Sequence, residues 1–273
     1  MERRVALVTG GNSGIGLTIC ERLLTLHNDL ELCLLCRNVT RAEAAKNALL
    51  ISHPNSTISI IVMDTSDVKS VFKAAKILKE RYKRIDFLFL NAGIMPVTGV
   101  NWSNVVKGIL STKCAHVMSS GEGCLYHTDQ VTKDGLKNIF ASNVFGHYAL
   151  IKEMEERLGG EKDTQIIWTS SRAAMLSAFD INDIQHRHGD DPYASSKYVI
   201  DTVSVSLNDN LNKKTSLPYN RIGATKCVFP YNMSWISDDK SDQWDPSKLG
   251  LEYAVSNFND TKNILLQYNF FSL

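Results

Sequence analysis

No stretch of this chain approaches the ~18 consecutive apolar residues that a membrane-crossing helix requires. No secretory leader is visible: the apolar run Val5-Ala6-Leu7-Val8 starts almost at once and reads as a buried strand, so neither a signal peptide nor a spanning anchor is expected. Neither sign of charge dominates. With 30 basic and 29 acidic side chains the net charge is +1, which argues against nucleic acid as a partner and against a strongly charged substrate. The six cysteines are scattered through the chain, and a reducing compartment is the simpler reading. Cys33-Leu34-Leu35-Cys36 has the spacing of a metal or redox pair. It lies in an apolar run with no second pair, so buried strand residues are expected instead. Asn-x-Ser/Thr sequons at Asn38, Asn55 and Asn101 count as chance matches without a leader. The polar run His186-Arg187-His188 reads as a solvated loop, and no metal site is assigned.

What is present is an alternation. Apolar runs suited to strands fall at Val5–Thr9, Leu32–Cys36, Ile58–Met63, Phe87–Leu90 and Ile166–Thr169. Helical patterns fall between and after them, at Gly14–Leu26, Arg41–Ser52, Asp67–Tyr82, Lys133–Leu158 and Pro192–Asn212, with Thr40 and Glu43 as a capping box for the second. At 273 residues and 44% apolar content this predicts one α/β domain, a doubly wound parallel sheet of Rossmann type over residues 1–220. The order of elements is broken twice. An insertion at about 97–132 carries Trp102, Val105, Val106, Ile109 and Leu110 at helical spacing beside Lys107 and Lys113. It reads either as a helix packed on its own domain or as a contact with a membrane surface or a second subunit. Residues 221–273 form a Ser-, Asp- and Asn-rich tail without clear strand–helix rhythm.

The chemistry concentrates at the predicted carboxyl ends of the strands, where open α/β sheets bind ligands. Thr9-Gly10-Gly11-Asn12-Ser13-Gly14-Ile15-Gly16 joins a strand to a helix N-terminus. Its glycines let backbone approach a pyrophosphate, and the free N–H groups and helix dipole attract it. Arg37 ends the second strand, beside the expected adenosine ribose. Arginine there pairs with a 2′-phosphate, which favours NADPH; the alternative is a surface arginine without a ligand. Asp64 ends the third strand near the expected adenine, and Asn91-Ala92-Gly93 ends the fourth with residues small enough for close approach to the cofactor. Tyr193 and Lys197 stand one helical turn apart. A phenol of pKa ~10 is a poor acid near neutrality, and the lysine charge is expected to lower it. Tyr193 is then the proton donor, Lys197 its electrostatic partner and a ligand of the nicotinamide ribose, and Ser171 the group that binds the substrate carbonyl together with Tyr193. Asn143 completes the set by holding a water next to Lys197.

In this order the motifs resemble the short-chain dehydrogenase/reductase superfamily: TGxxxGxG at Thr9–Gly16, NAG at Asn91–Gly93, YxxxK at Tyr193–Lys197, with Asn143 and Ser171. The stretches Asn91–Pro96, Asn143–His147 and Trp168–Arg172 resemble the ketosteroid-reductase branch, over about residues 1–220. That branch implies NADPH-dependent reduction of the 3-keto group of sterol intermediates after C4 demethylation in cholesterol synthesis, and of estrone to estradiol. It also implies the cytosolic face of the endoplasmic reticulum membrane; a chain without a spanning segment fits the cytosol too. The superfamily implies a homodimer through the Asn143 and Tyr193 helices. Three departures stand out. The interval from Ser171 to Tyr193 is long, and the usual spacing lands on Asp180, whose ionised carboxylate cannot donate. Pro230 is followed by Tyr231-Asn232 where the superfamily has Pro-Gly. The later strands of the branch are replaced by the tail, as in a truncated or spliced product, so lower stability and impaired activity are expected. A non-catalytic isoform that binds nucleotide or pairs with complete subunits is the alternative to an enzyme, and a reductase of retinoid or other lipid carbonyls is a third reading.

Overall fold

The computed structural model describes residues 3–111, 124–159, 163–214 and 222–227, with 208–214 and 222–227 as backbone only. In chain order the strands are β1 (Arg4–Thr9), β2 (Leu30–Cys36), β3 (Thr57–Val62), β4 (Phe87–Leu90), β5 (Val97–Val100), β6 (Leu125–His127), β7 (Thr164–Thr169) and β8 (Ile222–Cys227). The helices are α1 (Gly14–Leu26), α2 (Val39–Ser52), α3 (Val68–Arg81), α4 (Trp102–Ile109), α5 (Gly146–Met154) and α6 (Pro192–Lys214), with short turns besides.

Six strands form one parallel sheet in the order β3-β2-β1-β4-β7-β8. The chain steps outward from β1 to β3, then crosses to the other side of β1 to begin β4, so the winding reverses between β1 and β4. Helices cannot cover the carboxyl ends of both strands at that point, which leaves a crevice there. The doubly wound sheet expected from the sequence is the fold observed. One strand was not foreseen: Ile222–Cys227 lies in the segment read as an irregular tail, yet it pairs along its whole length with β7. The rest of the tail, including Pro230-Tyr231-Asn232, and Lys113 of the insertion lie outside the described residues.

The sheet is buried on both faces because alternate side chains serve different layers. Leu7, Cys33, Leu35, Leu88, Leu90, Ile166 and Trp168 join α3, α5 and α6 in one core. Ala6, Val8, Leu32, Leu34, Cys36, Phe89 and Ile167 join α1 and α2 in the other. Cys33 and Cys36 therefore point to opposite faces of β2, and that geometry prevents them from sharing a metal or a disulfide.

Two helix boundaries differ from expectation. The cap of α2 is Asn38, whose side chain accepts from Arg41 N at 2.9 Å, and not the Thr40–Glu43 box. The helix is two residues longer for it, since Asn offers its oxygen with the short reach an N-cap needs. The helix expected from Lys133 begins only at Asn138, after a turn in which Gly135 takes φ +77°. It runs through Asn138–Phe140, then a π-helical turn at Ala141–Phe145, then α5. That wider turn carries Asn143.

Candidate active site

The crevice is lined first by the glycine turn. Gly10 takes φ +66° and Gly14 φ +50°, left-handed values that a Cβ would strain. A Cβ on Gly16 would sit 2.2 Å from the Gly10 carbonyl oxygen, so α1 begins in direct contact with the turn. Ser13 is the N-cap of α1, but its side chain makes no capping bond, and no acid occupies the first turn. The first amides of α1 and the positive end of its dipole are thus left for an external anion. Asn12 is half-buried at this mouth, and Ser13, Gly14 and Ile15 are exposed. These residues fit a pyrophosphate.

Thr9, grouped with them by sequence, works from behind. It is fully buried, and its Oγ1 accepts the backbone N–H groups of Asn91 and Ala92 at 2.8 and 2.9 Å. It fastens the end of β1 to the end of β4. Asn91 returns the contact, donating from Nδ2 to the Thr9 carbonyl at 3.2 Å. Further out, the Arg37 side chain is 69% exposed, with Nη1 4.0 Å from Asp64 Oδ2. The other Asp64 oxygen accepts from Ser66 N and Oγ at 2.9 and 2.7 Å. Arg37 is therefore free to turn toward an incoming phosphate, and Asp64 is already partly committed.

The second group converges from β4, the π turn, β7 and α6. The Asn143 side chain is fully buried. Its Oδ1 accepts from Ile94 N at 2.7 Å, and its Nδ2 donates to Ile94 O at 3.1 Å and to Ser196 Oγ at 3.0 Å. Ser196 in turn donates to the Tyr193 carbonyl at 2.8 Å. A Cβ on Gly93 would lie 3.1 Å from Asn143 Oδ1 and 3.8 Å from Lys197 Nζ, so only glycine lets this strand end pass beside both. Lys197 Nζ donates to the Thr169 carbonyl at 2.9 Å and lies 5.6 Å from the centre of the Tyr193 ring. Structure thus brings Asn143, Ser171, Tyr193 and Lys197 together with Asn91-Ala92-Gly93.

Electrostatics correct one expectation. Burial raises the Tyr193 pKa above its ordinary value; hydrogen bonding with Ser171 pulls it back, and the charge of Asp191 pushes it further up. Burial outweighs the effects that lower it, so the net shift is upward and not the expected fall. Lys197 is itself desolvated, which brings its pKa down to about 8, with Asp201 one turn on opposing that fall. Tyr193 is accordingly held as the neutral phenol, the form a proton donor must have.

Sequence reasoning missed the link between the two groups. His147 is fully buried and its ring sits between Thr9 Oγ1, 2.9 Å from Nε2, and the Asn143 carbonyl, 3.1 Å from Nδ1. A carbonyl only accepts, so Nδ1 carries the proton, and the Thr9 hydroxyl donates to Nε2. Burial lowers the His147 pKa to about 4, in keeping with this neutral ring. Its spacing of four from Asn143 was the available signal. Asp191 and Asp201 were also overlooked: the first caps α6 by accepting from Ala194 N at 2.9 Å, and the second accepts from Ser170 Oγ at 2.5 Å.

The family model for short chain dehydrogenases matches residues 4–215. The chain belongs to the short chain dehydrogenase family. Among curated relatives, the 3-keto-steroid reductase/17-beta-hydroxysteroid dehydrogenase 7 of Homo sapiens is 48% identical over 213 residues, 78% of this chain and 62% of that one. The 3-keto-steroid reductase erg27 of Schizosaccharomyces pombe is 33% identical, over 74% of this chain and 62% of its own. The chain thus spans less than two thirds of the length of these relatives. A short-chain dehydrogenase/reductase from Burkholderia phymatum in complex with NAD shares the fold, with a TM-score of 0.57 at 18% identity, covering 83% of this chain and 65% of that one. So does the RhlG/NADP complex of Pseudomonas aeruginosa, at 0.52 and 19%, over 77% and 68%.

In this short chain dehydrogenase the long interval before Tyr193 is taken up by two short 3-10 turns, Leu176–Ala178 and Ile181–Asp183. Asp180, the residue at the usual spacing, is exposed and caps the second of them, accepting from Asn182 N at 2.8 Å. Ser171 is the residue beside the phenol. The loop of His186 is not wholly solvated: His186 takes φ +51°, and its Nε2 is buried, whereas His188 is open to solvent and 3.3 Å from Asp183.

Proposed function

We propose that this chain is an NADPH-dependent ketosteroid reductase. It reduces the 3-keto group of sterol intermediates of cholesterol synthesis, and the 17-keto group of estrone to give estradiol. The observation that carries the reading is the convergence of Asn143, Ser171, Tyr193 and Lys197 beside an uncapped helix N-terminus, in a chain 48% identical to a 3-keto-steroid reductase/17-beta-hydroxysteroid dehydrogenase.

Gly10, Asn12, Ser13, Gly14, Ile15 and Gly16 would hold the pyrophosphate of the cofactor, Asp64 would face its adenosine, and Arg37 would pair with its 2′-phosphate. Asn91, Ala92 and Gly93 would border its ribose and nicotinamide end. When bound, NADPH would supply the hydride for the carbonyl carbon. The rest falls to the protein. Ser171 donates a hydrogen bond to the carbonyl oxygen and fixes it beside Tyr193. Burial keeps Tyr193 protonated until the oxygen gains negative charge, and its proton then completes the alcohol. Lys197, charged below about pH 8, stabilises the phenolate left behind and bonds the nicotinamide ribose. Asn143 holds the Ile94 backbone against Ser196, and so fixes the distance between β4 and the helix that carries both Tyr193 and Lys197.

Tyr193→Phe tests this directly. It removes the proton donor alone, so steroid-dependent NADPH oxidation falls by roughly 10²–10⁴-fold with nucleotide affinity unchanged. Equal turnover in the variant refutes the role of Tyr193.

A further inference from the structure

The insertion turns its apolar side outward. On α4, Trp102 is 71% exposed, Val106 53%, Ile109 49% and Leu110, just past the helix end, 81%. Their spacing of four, seven and eight places them on one stripe. In a helix packed on its own domain that stripe meets the core, but here the only buried residue of α4 is Gly108. Val100 of β5 and Tyr126 of β6, on the ribbon next to the helix in sequence, are exposed as well. Residues 91–111 contain no aspartate or glutamate, and Lys107 is exposed on the same helix; the acids of the insertion are Glu122, outside the described residues, and Asp129, past β6. The ribbon starts six residues beyond Asn91, so it springs from the rim of the crevice.

We propose that this face docks on an anionic lipid bilayer, with α4 lying in the headgroup layer. Apolar side chains including a tryptophan, a lysine and a helix without acids suit such a surface, where each cation near anionic headgroups adds attraction and each carboxylate would subtract it. Protein interfaces are depleted of acids too, but also of lysine, and Lys107 is exposed on this helix. The docking needs no crossing segment, and among the described residues no helix is long and apolar enough to cross a membrane. It stands on the surface alone and goes beyond the catalytic reading.

The test is co-sedimentation of the purified full chain with vesicles of phosphatidylcholine, with and without phosphatidylserine. Binding is expected to be stronger with phosphatidylserine and to weaken as salt is added. Joint substitution of Trp102→Glu and Leu110→Glu is expected to weaken it by at least about tenfold, by placing charge in the headgroup layer. Ile51→Glu, at an 85% exposed position on α2, leaves it unchanged. Nucleotide affinity serves as the check that each variant is folded. Three results overturn the proposal: no vesicle binding by the folded chain, binding indifferent to phosphatidylserine, or binding equal in the double variant. Self-association abolished by the double variant, without vesicle binding, assigns the face to a second copy instead.

Discussion

Replacing His147 with phenylalanine should cost stability at neutral pH and little in acid. The ring is buried, neutral and bonded on both nitrogens, and burial brings its pKa from 6.5 to about 4. An unfolded chain takes up a proton at this position near pH 6.5, and the folded protein does so only near 4. Between those values the unfolded state holds more protons, so stability is complete above about pH 6.5, declines as pH falls through the window, and levels off below about 4. The full decline from this residue is about 3 kcal/mol, from the difference between 6.5 and about 4. Phenylalanine fills much of the same space against Trp168, which the imidazole meets edge-on at 5.7 Å, but carries no proton in either state. At pH 7 the variant leaves the Asn143 carbonyl without its imidazole donor and Thr9 with only a longer bond, 3.3 Å, to the Phe89 carbonyl, at a cost of about 1–3 kcal/mol. Denaturant unfolding at a series of pH values should show the two proteins converging toward pH 4. Parallel pH profiles would refute the assignment of a neutral, doubly bonded His147.

Other expectations concern the site itself. The rate of steroid reduction should fall as pH rises past about 8, because Lys197 loses the charge that stabilises the Tyr193 phenolate; a pH–rate profile flat well past that value contradicts this role. Gly16→Ala puts a methyl group 2.2 Å from the Gly10 carbonyl and 2.6 Å from Asn91 Nδ2. Forcing the turn apart costs about 1–3 kcal/mol, so NADPH titrated against protein fluorescence should bind roughly tenfold to a hundredfold more weakly; unchanged affinity removes the turn from the nucleotide site. Arg37→Asp should shift preference from NADPH toward NADH by roughly tenfold or more, through loss of a charge-assisted phosphate bond and gain of a repulsive charge; an unaltered ratio of affinities assigns Arg37 to the bare surface.

The sheet was legible because β1, β2 and β4 are buried on both faces and so read as unbroken apolar runs between helical patterns. β8 was not. Ile222-Gly223-Ala224-Thr225-Lys226-Cys227 is a weakly apolar stretch that owes its place to pairing with β7, which sequence pattern does not register. Tyr193 and Lys197 were paired from residue types and spacing, since a tyrosine and lysine four apart share a helix face. The upward shift of the Tyr193 pKa was not legible, because it comes from burial by elements distant in sequence. The π turn at Asn143 escaped for a similar reason: a helical pattern does not reveal one wider turn within it. For α4 the spacing revealed the apolar stripe, but only the fold shows that the stripe faces outward.

The most direct test of the account is NADPH oxidation by the purified, folded chain with a 3-keto-4-methyl sterol or estrone added. Oxidation that depends on the steroid and disappears in Tyr193→Phe is the expected result. A chain that is folded and binds NADPH, yet oxidises none when either steroid is present, contradicts the assignment as a ketosteroid reductase and leaves a nucleotide-binding protein without this activity.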